Sequence, residues 1–125
     1  MNILHFSQAL IKGAKKWGGA ERTDETICKA AVFRGHEIKT INSIGMIINW
    51  NKDDYEMMPG FDQISWRVSL REVSDKQSEE KTDEQFKKLI DWADLLIFCN
   101  IGWFSKSKLI PLIQYAIDKE KKIVF

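Results

Sequence analysis

Apolar positions along this chain follow two different spacings. Residues 2–7 and 95–99 are short runs of near-continuous apolar content, which is typical of parallel strands covered on both faces. In other segments, apolar residues recur at the three- and four-residue spacing of a helix. We therefore predict an α/β protein in which strands and helices alternate and right-handed crossovers join the strands.

The first third of the chain has the clearest pattern. A strand over 2–7 is followed by a polar loop over 8–16, and a helix begins at Ala20. Gly35 stands where a left-handed cap would end that helix, and a second strand covers 37–41. The helix face is predicted from three residues at helical spacing: Ile27, Ala30 and Ala31.

Residues 42–74 show no sustained period. Alternation predicts a strand over 65–70, and the stretch before it is interpreted as an irregular functional loop. The charged segment 75–81 has no apolar anchors, so we expect an exposed connection there.

The last third repeats the alternation. Thr82 and Gln85 have the spacing of a capping box and predict a helix start, and the strand over 95–99 follows that helix. Ser107 is the expected N-cap of a final helix, in which Pro111 is tolerated near the start. A last strand over 123–125 follows. The apolar faces predicted for the two helices comprise Phe86, Leu89, Ile90 and Ala93, and then Leu109, Leu112, Ile113, Ala116 and Ile117.

Composition narrows the classes of function. At 125 residues the chain is expected to form one domain. The formal charge of +1 gives no general attraction to nucleic acid or anionic lipid. Cys28 and Cys99 lack the spacing of a zinc or disulfide framework, so we expect a reduced, cytoplasmic setting. No signal peptide or membrane-spanning run is indicated.

The candidate site follows from the predicted sheet. Ligands of open α/β sheets bind beyond the carboxyl ends of strands, so the loops over 8–19 and 100–106 should meet at one edge. Gly18 and Gly19 leave the backbone bare beside a helix N-terminus, which suits an anionic group. A tight turn before the helix is the structural alternative.

Several side chains near these loops have two interpretations. Glu21 is favoured by the helix dipole, whereas Arg22 is expected to be solvated. Trp103 offers a stacking platform for a sugar or hydrophobic cover over the sheet edge. Lys106 lies where a helix N-terminus favours acids, which indicates either an anionic ligand that offsets the repulsion or a lysine on an exposed turn. His5 is expected to be a hydrogen-bonded core histidine rather than a ligand.

Three elements occur in a recognisable order: the strand over 1–7, the segment Gly18-Gly19-Ala20-Glu21-Arg22, and the turn Arg34-Gly35-His36-Glu37. This order resembles the N-terminal domain of GT-B glycosyltransferases, in the retaining branch that includes glycogen-synthase-like and mannosyltransferase-type enzymes. The resemblance implies a Rossmann-like three-layer sandwich with a mainly parallel sheet. Residues 1–125 would then be the single, acceptor-side N-terminal half of a longer two-domain enzyme.

The resemblance also implies a function. The whole enzyme would transfer a sugar from a nucleotide-sugar donor to the hydroxyl of a sugar, lipid or small-molecule acceptor, without a metal or other cofactor. This half alone would be inactive without its C-terminal domain, and the enzyme would be cytoplasmic or peripheral to the inner membrane face. The residues assigned to donor-phosphate and acceptor binding are Gly18, Gly19, Glu21, Asn100, Trp103 and Lys106.

One departure from the family leaves the catalytic residues unassigned. In many similar enzymes the strand that corresponds to residues 94–100 reads Asp-Ile-Ile-His-x-His-Asn. Here Asp94 and Asn100 match that motif, but Ile97 and Cys99 replace the two histidines.

Two alternatives remain open. The chain is otherwise a stand-alone α/β module that binds a nucleotide or a partner without catalysis, and a stop codon after Phe125 would favour that module. A deoxyribosyltransferase-like enzyme is the weaker alternative, since no convincing carboxylate nucleophile stands out. An exposed final strand further predicts a homodimer through that edge.

Overall fold

A computed structural model describes residues 1–7, 19–42, 46–50, 55–59, 76–99 and 106–125. These residues form a mixed α/β fold, as predicted, with three helices and six strands. The helices are α1 (Gly19–Phe33), α2 (Lys76–Trp92) and α3 (Lys106–Asp118). The strands are β1 (Asn2–Phe6), β2 (Glu37–Ile41), β3 (Met46–Trp50), β4 (Tyr55–Pro59), β5 (Leu95–Phe98) and β6 (Lys122–Val124).

Within the described residues the strands form one sheet in the order β4-β3-β2-β1-β5-β6. The four strands β2, β1, β5 and β6 run parallel, whereas β3 and β4 add an antiparallel hairpin beside β2. The mainly parallel sheet is therefore confirmed. β6 lies at the edge of this sheet, and a dimer through that edge stays a prediction.

The prediction of an irregular loop before residue 65 is wrong in part, because β3 and β4 lie there. The hairpin pairs Ile48 with Met57 and Met46 with Pro59. Proline usually ends a strand because it has no backbone N–H to donate. An edge strand tolerates Pro59 because one side of its backbone has no neighbouring strand to bond. The strand predicted over 65–70 lies outside the described residues.

The prediction of an exposed connection over 75–81 is also wrong in part, because α2 begins at Lys76. Thr82 therefore lies inside the helix and is not its N-cap. Residues 76–81 contain Lys, Gln, Ser and Glu but no Gly or Pro, so their helix propensity extends the helix without apolar anchors.

The final helix differs from its prediction in three details. It begins at Lys106, so the expected N-cap Ser107 lies within it. Pro111 stands in the interior, where packing of Leu109 and Leu112 offsets the lost backbone hydrogen bond. Ile117, predicted to face the core, is 53% exposed.

The two faces of the sheet have separate cores. We call the side packed by α2 and α3 the apolar face, and the side packed by α1 the mixed face. Because side chains alternate along a strand, Leu4 and Phe6 belong to the apolar face and Ile3 and His5 to the mixed face. The buried apolar face comprises Leu4, Phe6, Ile41, Phe86, Ile90, Ala93, Leu96, Phe98, Leu109, Leu112 and Ala116.

The predicted inner face of α1 is confirmed for Ala31, which packs partly buried against the core of the mixed face, but is wrong for the other two residues. Ile27 and Ala30 are exposed, and the buried side chains are Asp24, Cys28 and Val32. The three are spaced four residues apart and so share one side of the helix. The cap is confirmed, since Gly35 has φ 89° just beyond the helix end.

No helix in the described part of the chain has both the length and the apolar content needed to cross a membrane.

Candidate functional site

The parallel strands β1, β2 and β5 end at the same edge of the sheet, which we call the carboxyl edge. Pairing continues one residue past these strands: the Ser7 amide donates to the Ile41 carbonyl at 3.1 Å, and the Cys99 amide donates to the Phe6 carbonyl at 2.9 Å. The chain leaves β1 towards α1 on the mixed face, and it leaves β5 towards α3 on the apolar face. A crevice where neighbouring strands connect to opposite faces is the usual ligand site of an open α/β sheet.

Helix α1 brings its N-terminus to this edge. Asp24, in its second turn, accepts a hydrogen bond from Ser7 at the end of β1. Beyond the other end of the helix, His36 Nδ1 lies 2.9 Å from the amino group of Met1. Gly19, where α1 begins, therefore belongs to the carboxyl edge, beside the ends of β1 and β5.

Polar side chains fill the mixed face near the carboxyl edge. His5 lies in β1, Ser7 directly follows β1, and Thr40 lies in β2. All three side chains are fully buried, and Asp24 is 2% exposed. Cys99 follows β5 at the same edge and is half-buried. We call the group formed by His5, Ser7, Asp24, Cys28, Thr40 and Cys99 the edge cluster.

Thr40 contacts three other side chains at one end of the edge cluster. Its Oγ1 accepts a hydrogen bond from Trp50 Nε1 at 2.8 Å and lies 2.9 Å from His5 Nδ1 and 3.6 Å from Cys28 Sγ. The Thr40 hydroxyl has one proton, so it either donates to His5 Nδ1 or accepts from it while donating to Cys28. Two protonation patterns of the His5 ring are thus compatible with the same atoms.

The other end of the cluster joins His5, Asp24 and Cys99. His5 Nε2 lies 3.6 Å from Asp24 Oδ1, which is longer than a hydrogen bond. This nitrogen is buried and has no hydrogen-bond partner among the residues that the structure describes. One ligand atom from each of the three residues lies within 4.8 Å of the others.

Burial acts on both cysteines. It raises the pKa of the Cys28 thiol to about 12. Burial, followed by the Asp24 carboxylate, also raises the pKa of the Cys99 thiol. Both thiols are therefore protonated at neutral pH, and neither has the depressed pKa of a cysteine nucleophile.

The structure places only part of the predicted site. Gly19 and Glu21 lie in the first turn of α1, and Lys106 is the first residue of α3. Gly18, Asn100 and Trp103 lie outside the described residues. Because β1 and β5 are adjacent and parallel, the prediction that their following loops leave one edge is confirmed.

Two further expectations, that His5 is buried and hydrogen-bonded and that Arg22 is exposed to solvent, are confirmed. His5 bonds Thr40, and His36 contacts the chain's amino group.

Four residues that the structure brings together were not predicted as members of one site: Ser7, Asp24, Thr40 and Cys99. Two signals in the sequence point to them. Polar residues occupy every second position at the strand ends, as in His5–Ser7 and Thr40–Asn42, and Asp24 continues the four-residue spacing of Cys28 and Val32. A carboxylate within the inner stripe of a helix is unusual unless it has a partner.

A cavity of about 460 Å³ lies at the opposite edge of the sheet, where His36, Lys39 and Trp92 are among its lining residues. Comparisons of this chain with protein-family models, with curated proteins and with solved structures found no match.

Proposed function

We propose that this chain is the N-terminal, acceptor-side domain of a retaining glycosyltransferase, with a Rossmann-like three-layer sandwich as its fold. The observation that carries the proposal is the position of α1. The helix begins within Gly18-Gly19-Ala20-Glu21-Arg22 at the edge where β1 and β5 end. This arrangement suits a ligand with a phosphate group, because bare amides at a helix N-terminus attract anions.

Each part of the domain would have a distinct role. The backbone at Gly18 and Gly19 would approach the donor phosphate, and Glu21, Asn100, Trp103 and Lys106 would complete contacts with donor and acceptor. Glycine matters here because a Cβ would occupy the space that the ligand needs. A C-terminal domain would supply the nucleotide contacts and the opposite wall of the cleft.

A transfer assay tests this proposal. The product of the complete gene is incubated with uridine-, guanosine- and adenosine-diphosphate sugars and candidate acceptors, and mass spectrometry identifies any transferred hexose. Transfer by that protein, with none by residues 1–125 alone, supports the proposal. Absence of transfer with every donor contradicts it, and nucleotide binding without transfer would favour the non-catalytic module.

A pair of glycine variants tests whether the nucleotide-sugar donor binds at the carboxyl edge. Gly19→Val adds a branched side chain at the start of α1, whereas Gly35→Ala changes a glycine beyond the other end of the same helix. We expect Gly19→Val to weaken donor binding at least about tenfold, the equivalent of one lost charge-assisted hydrogen bond. Gly35→Ala should lower stability but leave the Kd of the donor unchanged.

A further inference from the structure

We propose that His5, Asp24 and Cys99 bind one Zn²⁺ ion at the carboxyl edge of the sheet. The three ligand atoms lie within 4.8 Å of one another, and His5 Nε2 is buried without a hydrogen-bond partner among the described residues. This site does not depend on the proposed glycosyl transfer, for which the family resemblance implies no metal.

The distances are close to those of a tetrahedral zinc site. Zinc bonds to nitrogen, oxygen and sulfur are about 2.0–2.3 Å long, which places neighbouring ligand atoms about 3.3–3.8 Å apart. His5 Nε2 and Asp24 Oδ1 are already 3.6 Å apart. The widest separation, at most 4.8 Å, has to close by about an ångström.

The chemical types of the three ligand atoms favour zinc over magnesium or calcium. Imidazole nitrogen and thiolate sulfur are ligands of zinc and related transition metals, whereas Mg²⁺ and Ca²⁺ prefer oxygen alone. Three protein ligands leave a fourth position of the tetrahedron for water or a ligand oxygen, as in catalytic rather than structural zinc sites.

Zinc also balances the charges of the site. Asp24 as a carboxylate and Cys99 as a thiolate carry two negative charges, which one Zn²⁺ neutralises while His5 stays uncharged. A buried group of charges is far less costly when its sum is zero. On binding, the metal takes the place of the Cys99 thiol proton, and that proton is released to the buffer.

Residues around the three ligands hold them in place. His5 binds zinc through Nε2 when Nδ1 carries the proton, and Nδ1 lies 2.9 Å from Thr40 Oγ1, which can accept it. Ser7 Oγ donates to Oδ2 of Asp24, which leaves Oδ1 facing His5. Such partners of metal ligands orient them and raise their affinity for the ion.

The test measures Zn²⁺ and Co²⁺ binding by the whole chain without an affinity tag. We expect one equivalent of Zn²⁺ by mass spectrometry and, with Co²⁺, the absorption band of a cobalt–thiolate bond. Cys99→Ser should abolish that band and weaken Zn²⁺ binding by more than about 100-fold, the upper range for losing only an outer partner of a ligand. Asp24→Asn should weaken Zn²⁺ binding while retaining the cobalt–thiolate band.

Cys28→Ala is the matched control, because Cys28 is buried next to the other nitrogen of His5. It should retain the cobalt–thiolate band, because the Cys28 thiol is not one of the three ligands. If this control does not fold, the spectrum of Cys99→Ser decides, since that variant still contains Cys28. Absence of bound metal in the wild-type protein, or an unchanged cobalt band in folded Cys99→Ser, would overturn the proposal.

Discussion

The two faces of the sheet are filled by different chemistry although they share the same strands. On the apolar face, the Phe6 ring stacks on Phe98 at 4.4 Å and on Phe86 at 5.4 Å between ring centroids. On the mixed face, the neighbouring position of β1 is His5, which faces Thr40, Asp24 and Cys28. Apolar packing accounts for the first face, but buried polar groups are costly and need a reason.

The two faces also differ in where their polar side chains lie. The polar residues of the mixed face concentrate at its carboxyl end, while Ile3, Val32 and Ile38 near its other end are apolar. Polar side chains placed where an α/β sheet binds its ligands favour a site over a structural network. We therefore expect the apolar face to contribute most of the stability and the mixed face to contain the candidate site.

The largest expected effect is on the apolar face. Phe6→Ala removes a fully buried ring that stacks on two others, and it should lower the free energy of unfolding by about 3–5 kcal/mol. Urea unfolding monitored by circular dichroism measures this change. A loss below about 1 kcal/mol would show that this face is not the main source of stability.

Thr40→Val tests the hydrogen bonds of the mixed face with nearly the same side-chain shape. It leaves Trp50 Nε1 and His5 Nδ1 without their shared partner, so we expect a loss of about 1–3 kcal/mol. Urea unfolding of Thr40→Ser, which retains the hydroxyl, is the control. A loss for Thr40→Val that does not exceed the loss for Thr40→Ser would contradict a stabilising role of these hydrogen bonds, because only Thr40→Val lacks the hydroxyl.

Asp24→Asn should have a smaller effect of the opposite sign. At about pH 8 the variant no longer has to bury a carboxylate. Without added metal we expect a gain of about 1 kcal/mol in the free energy of unfolding. Thermal and urea unfolding measure it, with Asp118→Asn on the exposed end of α3 as the control. A loss comparable to that of Phe6→Ala would make Asp24 a structural residue.

The smallest effect concerns Tyr115 on the surface of α3. Its hydroxyl donates to Asp91 Oδ1 at 2.8 Å, and this hydrogen bond raises the pKa of Tyr115. Asp91→Ala should lower that pKa, so tyrosinate absorbance should appear at a lower pH than in the wild-type protein. The expected change in stability at neutral pH is within about 0.5 kcal/mol. An unchanged titration of Tyr115 would contradict this contact.

Much of the fold was predictable because its strong signals are local. The limits of β2 and the left-handed cap at Gly35 match their predictions, since a glycine cap and the strand that directly follows it depend on few distant contacts. The hairpin of β3 and β4 was missed because pairing with β2 and an edge position make Pro59 acceptable.

The candidate site was harder to predict because it depends on which residues face each other across elements. Asp24 at an inner position of α1 is a polar residue within an apolar stripe, and this shifted the predicted face towards Ile27 and Ala30. Cys99 is distant in sequence from His5 and Asp24. Only the parallel pairing of β1 with β5 brings it to the same edge.

The most direct test of the account is a map of amide chemical shifts as a nucleoside diphosphate is added to the product of the complete gene, in which the C-terminal domain would supply the nucleotide contacts. We predict that the shifts cluster at the carboxyl edge, at Ser7, in the first turn of α1 from Gly19 onwards, and at Cys99. Shifts that cluster instead around His36, Lys39 and Trp92 at the opposite edge, or no cluster at all, would contradict the assignment of the carboxyl edge as the ligand site.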